Sequence, residues 1–220
     1  MKYLPKRNDA IKYTMDFINW ERSKQMKTIR TIVSVFVACF VVFCLFSTYS
    51  AEAATYKGFN FKPGDIVITK NTSSRGVTGH AGIVASDGKN IVHSHPSYNK
   101  GKPHKMSIST WLTKYPKTKV VRSNSSTIAN KAGKYAYNSY IVGTYKNQSY
   151  KVTSNPKDRT YLYCSELVWQ SYYYGANSTF YTFTVKPYKK VIPDIIEPYG
   201  YLNPSLQKLN GYKTVKTFSW

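Results

Sequence analysis

The run Tyr163-Cys164-Ser165-Glu166-Leu167-Val168-Trp169 holds the only cysteine that follows residue 53. A thiol with no second cysteine to pair with is either buried and inert, joined to another chain, or chemically useful. Upstream stand His80, His93 and His95, three of the four histidines in the chain. A histidine is the side chain best suited to take a thiol proton near neutral pH. Cys164 as nucleophile and His80 as its general base are therefore the candidate catalytic residues. The apolar residues after Cys164 suit a helix that the cysteine opens, where free amide groups favour a thiolate.

The histidines sit on opposing strands of an expected hairpin. Thr78 to Ala85 reads as one strand, Ser86-Asp87-Gly88-Lys89 as a tight turn, and Asn90 to His95 as the return. Alternation puts His80, Gly82 and Val84 on one face, and Ile91, His93 and His95 on a common face of the partner. His93 is expected to orient the His80 ring, with His95 as the alternative. Gly82, lacking a side chain, leaves room for a substrate or the cysteine helix. Tyr163 is a candidate for polarising a carbonyl. Glu166, two residues beyond the thiol, is turned away from it on a helix. Three histidines and a cysteine could ligate zinc, but their spacing matches no common structural pattern, so no metal and no cofactor is expected.

The surrounding elements follow from turn signals and apolar runs. A strand is expected at Asp65 to Ile68 after Pro63-Gly64, a short helix at Ile108 to Lys114, and a strand at Lys119 to Arg122. A helix capped by Ser126 is expected to run to about Tyr140, then a loop from Gly143 to Arg159. Beyond the cysteine helix come a turn and short helix at Ile192 to Ile196 and a closing strand from Tyr212 to Phe218. Antiparallel strands with segregated helices make an α+β domain.

Ahead of this domain, Lys27 and Arg30 precede the apolar run Thr31 to Phe46, and Ala51-Glu52-Ala53 supplies a small-x-small cleavage pattern. Residues 26–53 are expected to be a signal peptide or, uncleaved, a single membrane anchor. Residues 1–25 form an upstream extension or precede the true start at Met26. Residues 54–220 are one domain. They carry 24 basic against 6 acidic side chains, a net charge of +18. That favours anionic partners in the cell envelope, either wall polymers or lipids. No zinc-finger spacing, phosphate loop or arginine-rich tail supports nucleic acid.

Gly64-Asp65-Ile66-Val67, Gly79-His80-Ala81-Gly82-Ile83-Val84 and Tyr163 to Trp169 together resemble the circularly permuted papain-like amidases of the YiiX and YycO type, within the NlpC-type cysteine peptidase superfamily. The resemblance covers roughly Phe61 to Leu209. It implies a permuted papain-like fold whose antiparallel sheet packs against the helix carrying the nucleophilic cysteine. It also implies a Cys164–His80 dyad with a polar third residue, here His93. The expected activity is hydrolysis of amide or peptide bonds by a secreted or envelope protein, with cell-wall peptides as substrate. The alternatives are an acyl-lipid hydrolase or acyltransferase on the same fold, and a non-catalytic cell-wall-binding module.

Overall fold

The computed structural model describes residues 20–22, 24–26, 29–30, 55–72, 78–184 and 189–220. Apart from a few helical residues before Thr31, the expected extension and leader lie outside the described residues. Ala51–Trp220 forms one compact unit. Six strands build its sheet: β1 (Ile66–Thr69), β2 (His80–Val84), β3 (Asn90–His93), β4 (His104–Ser107), β5 (Thr118–Ser123) and β6 (Tyr212–Phe218). Their order is β6-β5-β1-β2-β3-β4, and every neighbouring pair is antiparallel.

The β-branched run Ile66-Val67-Ile68 sits at the centre because both of its faces are covered. Ile66 and Ile68 join Ala81, Ile83, Val92 and Val121 against two long helices. These are α2 (Ser126–Tyr137) and α3 (Cys164–Ala176). Val67 points the other way, with Val84, Ile91 and Val120, against Ile108, Trp111 and Leu112 of α1 (Ile108–Lys114). Each of these fully buried aliphatic side chains stabilises the fold by about 1.5–3 kcal/mol. A fourth helix, α4 (Pro204–Asn210), starts on the Asn203 side chain and leads into β6.

Helix starts obey local chemistry. Ser107 accepts the Thr110 N–H and Ser125 accepts that of Ile128. The cap of α2 is thus Ser125, one residue earlier than expected, and its last stretch from Asn138 to Val142 is a π-helical turn. The expected 143–159 loop contains a short strand, Ser149–Tyr150, paired in parallel with Tyr161–Leu162. Strand β4 and helix α4 were not expected.

Gly64 enables a close approach of two backbones. Its φ is +82°, and an added Cβ would lie 2.1 Å from the Ala129 carbonyl oxygen of α2. The turn before β1 therefore lies directly on the helix backbone. Next to it, the fully buried Asp65 carboxylate accepts the Lys62 N–H and a two-pronged grip from Arg122 of β5, at 2.7 Å on each prong.

Removing one partner of that pair leaves a buried charge uncompensated. Arg122→Met is expected to lower stability in urea titrations by about 3 kcal/mol, and adding Asp65→Asn to recover much of it. Additive losses in the double variant would show that the pair is not coupled.

Candidate functional site

Strand β2 brings the chemistry together by offering alternate residues to the two faces of the sheet. Ala81 and Ile83 face α2 and α3. His80 lies on the other face, where its ring stacks on Trp111 at 5.4 Å and 21°. His93 of β3 joins it: His80 Nε2 and His93 Nδ1 are 2.9 Å apart, with one of them donating. Gly82 makes this possible, since a Cβ there would meet Ile91 Cγ2 at 2.6 Å, Trp111 at 3.2 Å and the His93 Cβ at 3.3 Å. The space beside Gly82 thus holds Trp111 and His93, not the cysteine helix. His95, the alternative partner, stands edge-on to His80 at 5.1 Å and uses its Nδ1 to accept the Ser97 N–H.

The fourth histidine completes the cluster and was missed in the sequence. His104 of β4 pairs in register with His93, and their ring centroids are 4.0 Å apart. His104 Nδ1 lies 3.3 Å from the Lys102 carbonyl oxygen, so it carries the proton there and leaves Nε2 as an acceptor. Both His93 Nε2 and His104 Nε2 are buried without a hydrogen-bond partner. Burial, together with neighbouring imidazoles, holds His80 and His93 well below the ordinary histidine range, so both are neutral.

Cys164 is the first residue of α3 and 5 % exposed. Burial pushes its thiol above the usual range, outweighing hydrogen bonds from the Ala81 backbone, Tyr150 and Ser165. The expected thiolate at a helix N-terminus is corrected: desolvation wins over the dipole. Among the described residues no hydrogen bond joins Cys164 to His80. The reason is strand alternation: Sγ meets the backbone of Ala81, while the His80 ring packs in the Trp111 layer. The two regions adjoin at Tyr115, whose ring is 5.6 Å from that of His80. Burial and the nearby Cys164 push the Tyr115 phenol up to about 12.

Two neighbours of the thiol are held by hydrogen bonds of their own. The Tyr163 hydroxyl accepts the Ile196 N–H at 2.8 Å, which fixes its oxygen beside the start of α3. The Glu166 carboxylate accepts the Tyr163 N–H and takes a 3.3 Å bond from Gln170, as the cap of α3. Burial raises it to about 8.

The family profile described as "Lipoprotein N-acylation protein LnsA-like" matches residues 26–202. An uncharacterised 30.3 kDa protein of Bacillus thuringiensis is 31 % identical over 158 residues, covering 68 % of this chain. The chain spans 55 % of the length of that relative. The crystal structure of the metalloprotein YiiX from Escherichia coli O157:H7 matches with a TM-score of 0.50 at 15 % identity, over 72 % of this chain and 98 % of that one.

These findings overturn the expected NlpC-type cysteine peptidase and its Cys164–His80 dyad. The fold is the YiiX type, α+β with an antiparallel sheet packed against helices, in place of a permuted papain-like fold built around a nucleophilic cysteine. The matching profile describes acylation, not peptide hydrolysis. The residues present do not form a metal centre either. His93 Nδ1 is committed to His80, and among the described residues no group of three or more His, Cys, Asp or Glu could hold a metal ion.

The raised Glu166 carboxyl makes stability fall as pH rises. A carboxyl with an ordinary value of 4.5 unfolded and about 8 folded contributes fully below 4.5 and loses that contribution through 8. The depressed histidines act oppositely, losing stability as pH falls below their ordinary 6.5. Glu166→Gln keeps an acceptor for the Tyr163 N–H and removes only the first effect. Between about pH 5 and about pH 8.5 its Tm is expected to gain steadily on that of the wild type. Parallel Tm curves would place the ionisation of Glu166 elsewhere.

Proposed function

Because the chain belongs to the family of LnsA-like lipoprotein N-acylation proteins, we propose that it transfers an acyl chain from a lipid to an amino group in the cell envelope. The observation that carries this is the reach of the family match, residues 26–202, which includes Cys164, the histidine cluster and the elements that position both. Cys164, His80 and His93 are the residues assigned to the site.

In this reading Cys164 is the acyl carrier. Its sulfur bonds to the carbonyl carbon of an acyl lipid as the ester C–O bond breaks, and the thiol proton leaves with the alcohol. The acceptor amine then bonds to that carbon, the S–C bond breaks, and the thiol regains a proton. A buried, uncharged thiol suits an apolar acyl donor, since little charged surface must be desolvated as it enters. The signal-peptide pattern expected at residues 26–53 and the +18 charge that follows it fit an envelope location and attraction to anionic lipid.

The full chain in detergent micelles, given a phospholipid with labelled acyl chains and a lipopeptide with a free N-terminal amine, is expected to move the label onto the peptide. Mass spectrometry reads the gain of one acyl chain. Cys164→Ala is expected to lose on the order of 10³-fold or more in rate. Release of label only as free fatty acid would make the protein a hydrolase. No consumption of lipid would sink the proposal.

A further inference from the structure

We infer that the end of the sheet formed by Phe218, Thr118 and Thr69 docks on an anionic bilayer, with a lysine-rimmed pocket beside Phe218 taking a lipid phosphate. The inference rests on the acyl-transfer reading for its purpose, since it fixes how the site meets its lipid, but other residues carry it. A pocket of about 270 Å³ opens between the hairpin Thr55–Tyr56/Phe59–Asn60, the end of α1 and the end of β6. Tyr56, Leu112, Pro116 and Phe218 give it apolar walls, and among the described residues Lys57 and Lys216 are its only charged lining. Lys57 is exposed at the tip of the hairpin, where it and Gly58 both have positive φ, 48° and 72°.

At the same end of the sheet, Lys70 and Lys119 hold their Nζ atoms 5.0 and 4.5 Å from the ring centroid of Trp220. Lys216 Nζ lies 5.5 Å from the Phe218 ring and Lys57 Nζ 5.7 Å from that of Tyr56. No Asp or Glu occurs in the hairpin, α1, β5 or β6. Among the described residues none of these four lysines is ion-paired, so their charge is free to meet an external anion. A soluble polyanion would use the ammonium groups alone. The half-buried rings of Phe218 and Trp220 and the apolar pocket walls call for an apolar phase beside the phosphates, and a bilayer interface supplies both.

Strand register ties this surface to the site. Phe218 pairs with Thr118, Thr118 with Thr69, and Thr69 with His80. Phe218 and Leu112 also share the layer of Trp111, on which the His80 ring stacks. Pocket and imidazole cluster thus lie on one face and in one row of the sheet, separated by three strand spacings, about 14 Å. A bilayer gripped here by its headgroups meets the end of the sheet at which His80 stands.

The photoreactive residue p-benzoylphenylalanine, placed in the full chain at Thr217 or Ser219, tests the face. Lys89, in the turn between β2 and β3 at the opposite end, is the control position, and all three are exposed. On vesicles of phosphatidylglycerol and phosphatidylcholine, irradiation is expected to attach lipid at Thr217 and Ser219 in clear excess over Lys89. Lys57→Gln and Lys216→Gln are each expected to lower that yield about fivefold, and vesicles of phosphatidylcholine alone to lower it further. Lys57→Arg and Lys216→Arg, which keep the charge, are expected to retain it. Equal labelling at Lys89, or a yield indifferent to the two lysines and to phosphatidylglycerol, overturns the docking face. Lipid attached at Thr217 and Ser219 by a protein that transfers no acyl chain upholds the face and discards the acyl-transfer reading. Acyl transfer with no lipid attached at those positions discards the face alone.

Discussion

Strand β2 is buried on both faces, and the site depends on that one constraint. A strand with a solvated side can place catalytic groups on a single face only. Here successive residues enter two different interiors: His80 goes to the Trp111 layer and Ala81 to the helices. The thiol is thereby held by a backbone amide, while the imidazoles form a separate, neutral cluster. Central placement in the sheet keeps this strand from shifting register, because a slip of one residue would exchange the two sets.

The same burial sets the electrostatics. Around Cys164, desolvation outweighs every hydrogen bond that favours a thiolate, and at Glu166 it outweighs two bonds that favour a carboxylate. Both groups are therefore neutral at rest. A peptidase built on a standing thiolate needs the reverse balance, whereas an apolar acyl donor meets no charged group to strip of water.

Much of the scaffold was legible because its signals are local. The Ile66-Val67-Ile68 run, the Asp87-Gly88 turn and the Ile108 to Lys114 helix each follow from a few neighbouring residues. The same alternation correctly grouped His80 with Gly82 and Val84. What it could not reveal was which layer covers that face, where Trp111 and His93 fill the space left open for a substrate or the cysteine helix. Strand β4 escaped notice because His104-Lys105-Met106-Ser107 has no β-branched residue, and His104 went with it. The parallel pairing of Ser149–Tyr150 with Tyr161–Leu162 was invisible for another reason: two residues paired across an irregular loop leave no periodic trace.

Strand β6 gives the chain a folding problem of its own. It completes the sheet by pairing residue 212 with residue 123, so the loop between them must close before that ladder is rewarded. All of α2 and α3 lie within this loop. The hairpins from β1 to β4 are local and can form early, but β5 lacks one of its neighbours until the last strand arrives. Connectivity of this kind makes folding slower than for a chain built from hairpins alone, and it leaves the ladder edge of β5 open to other strands until β6 closes it.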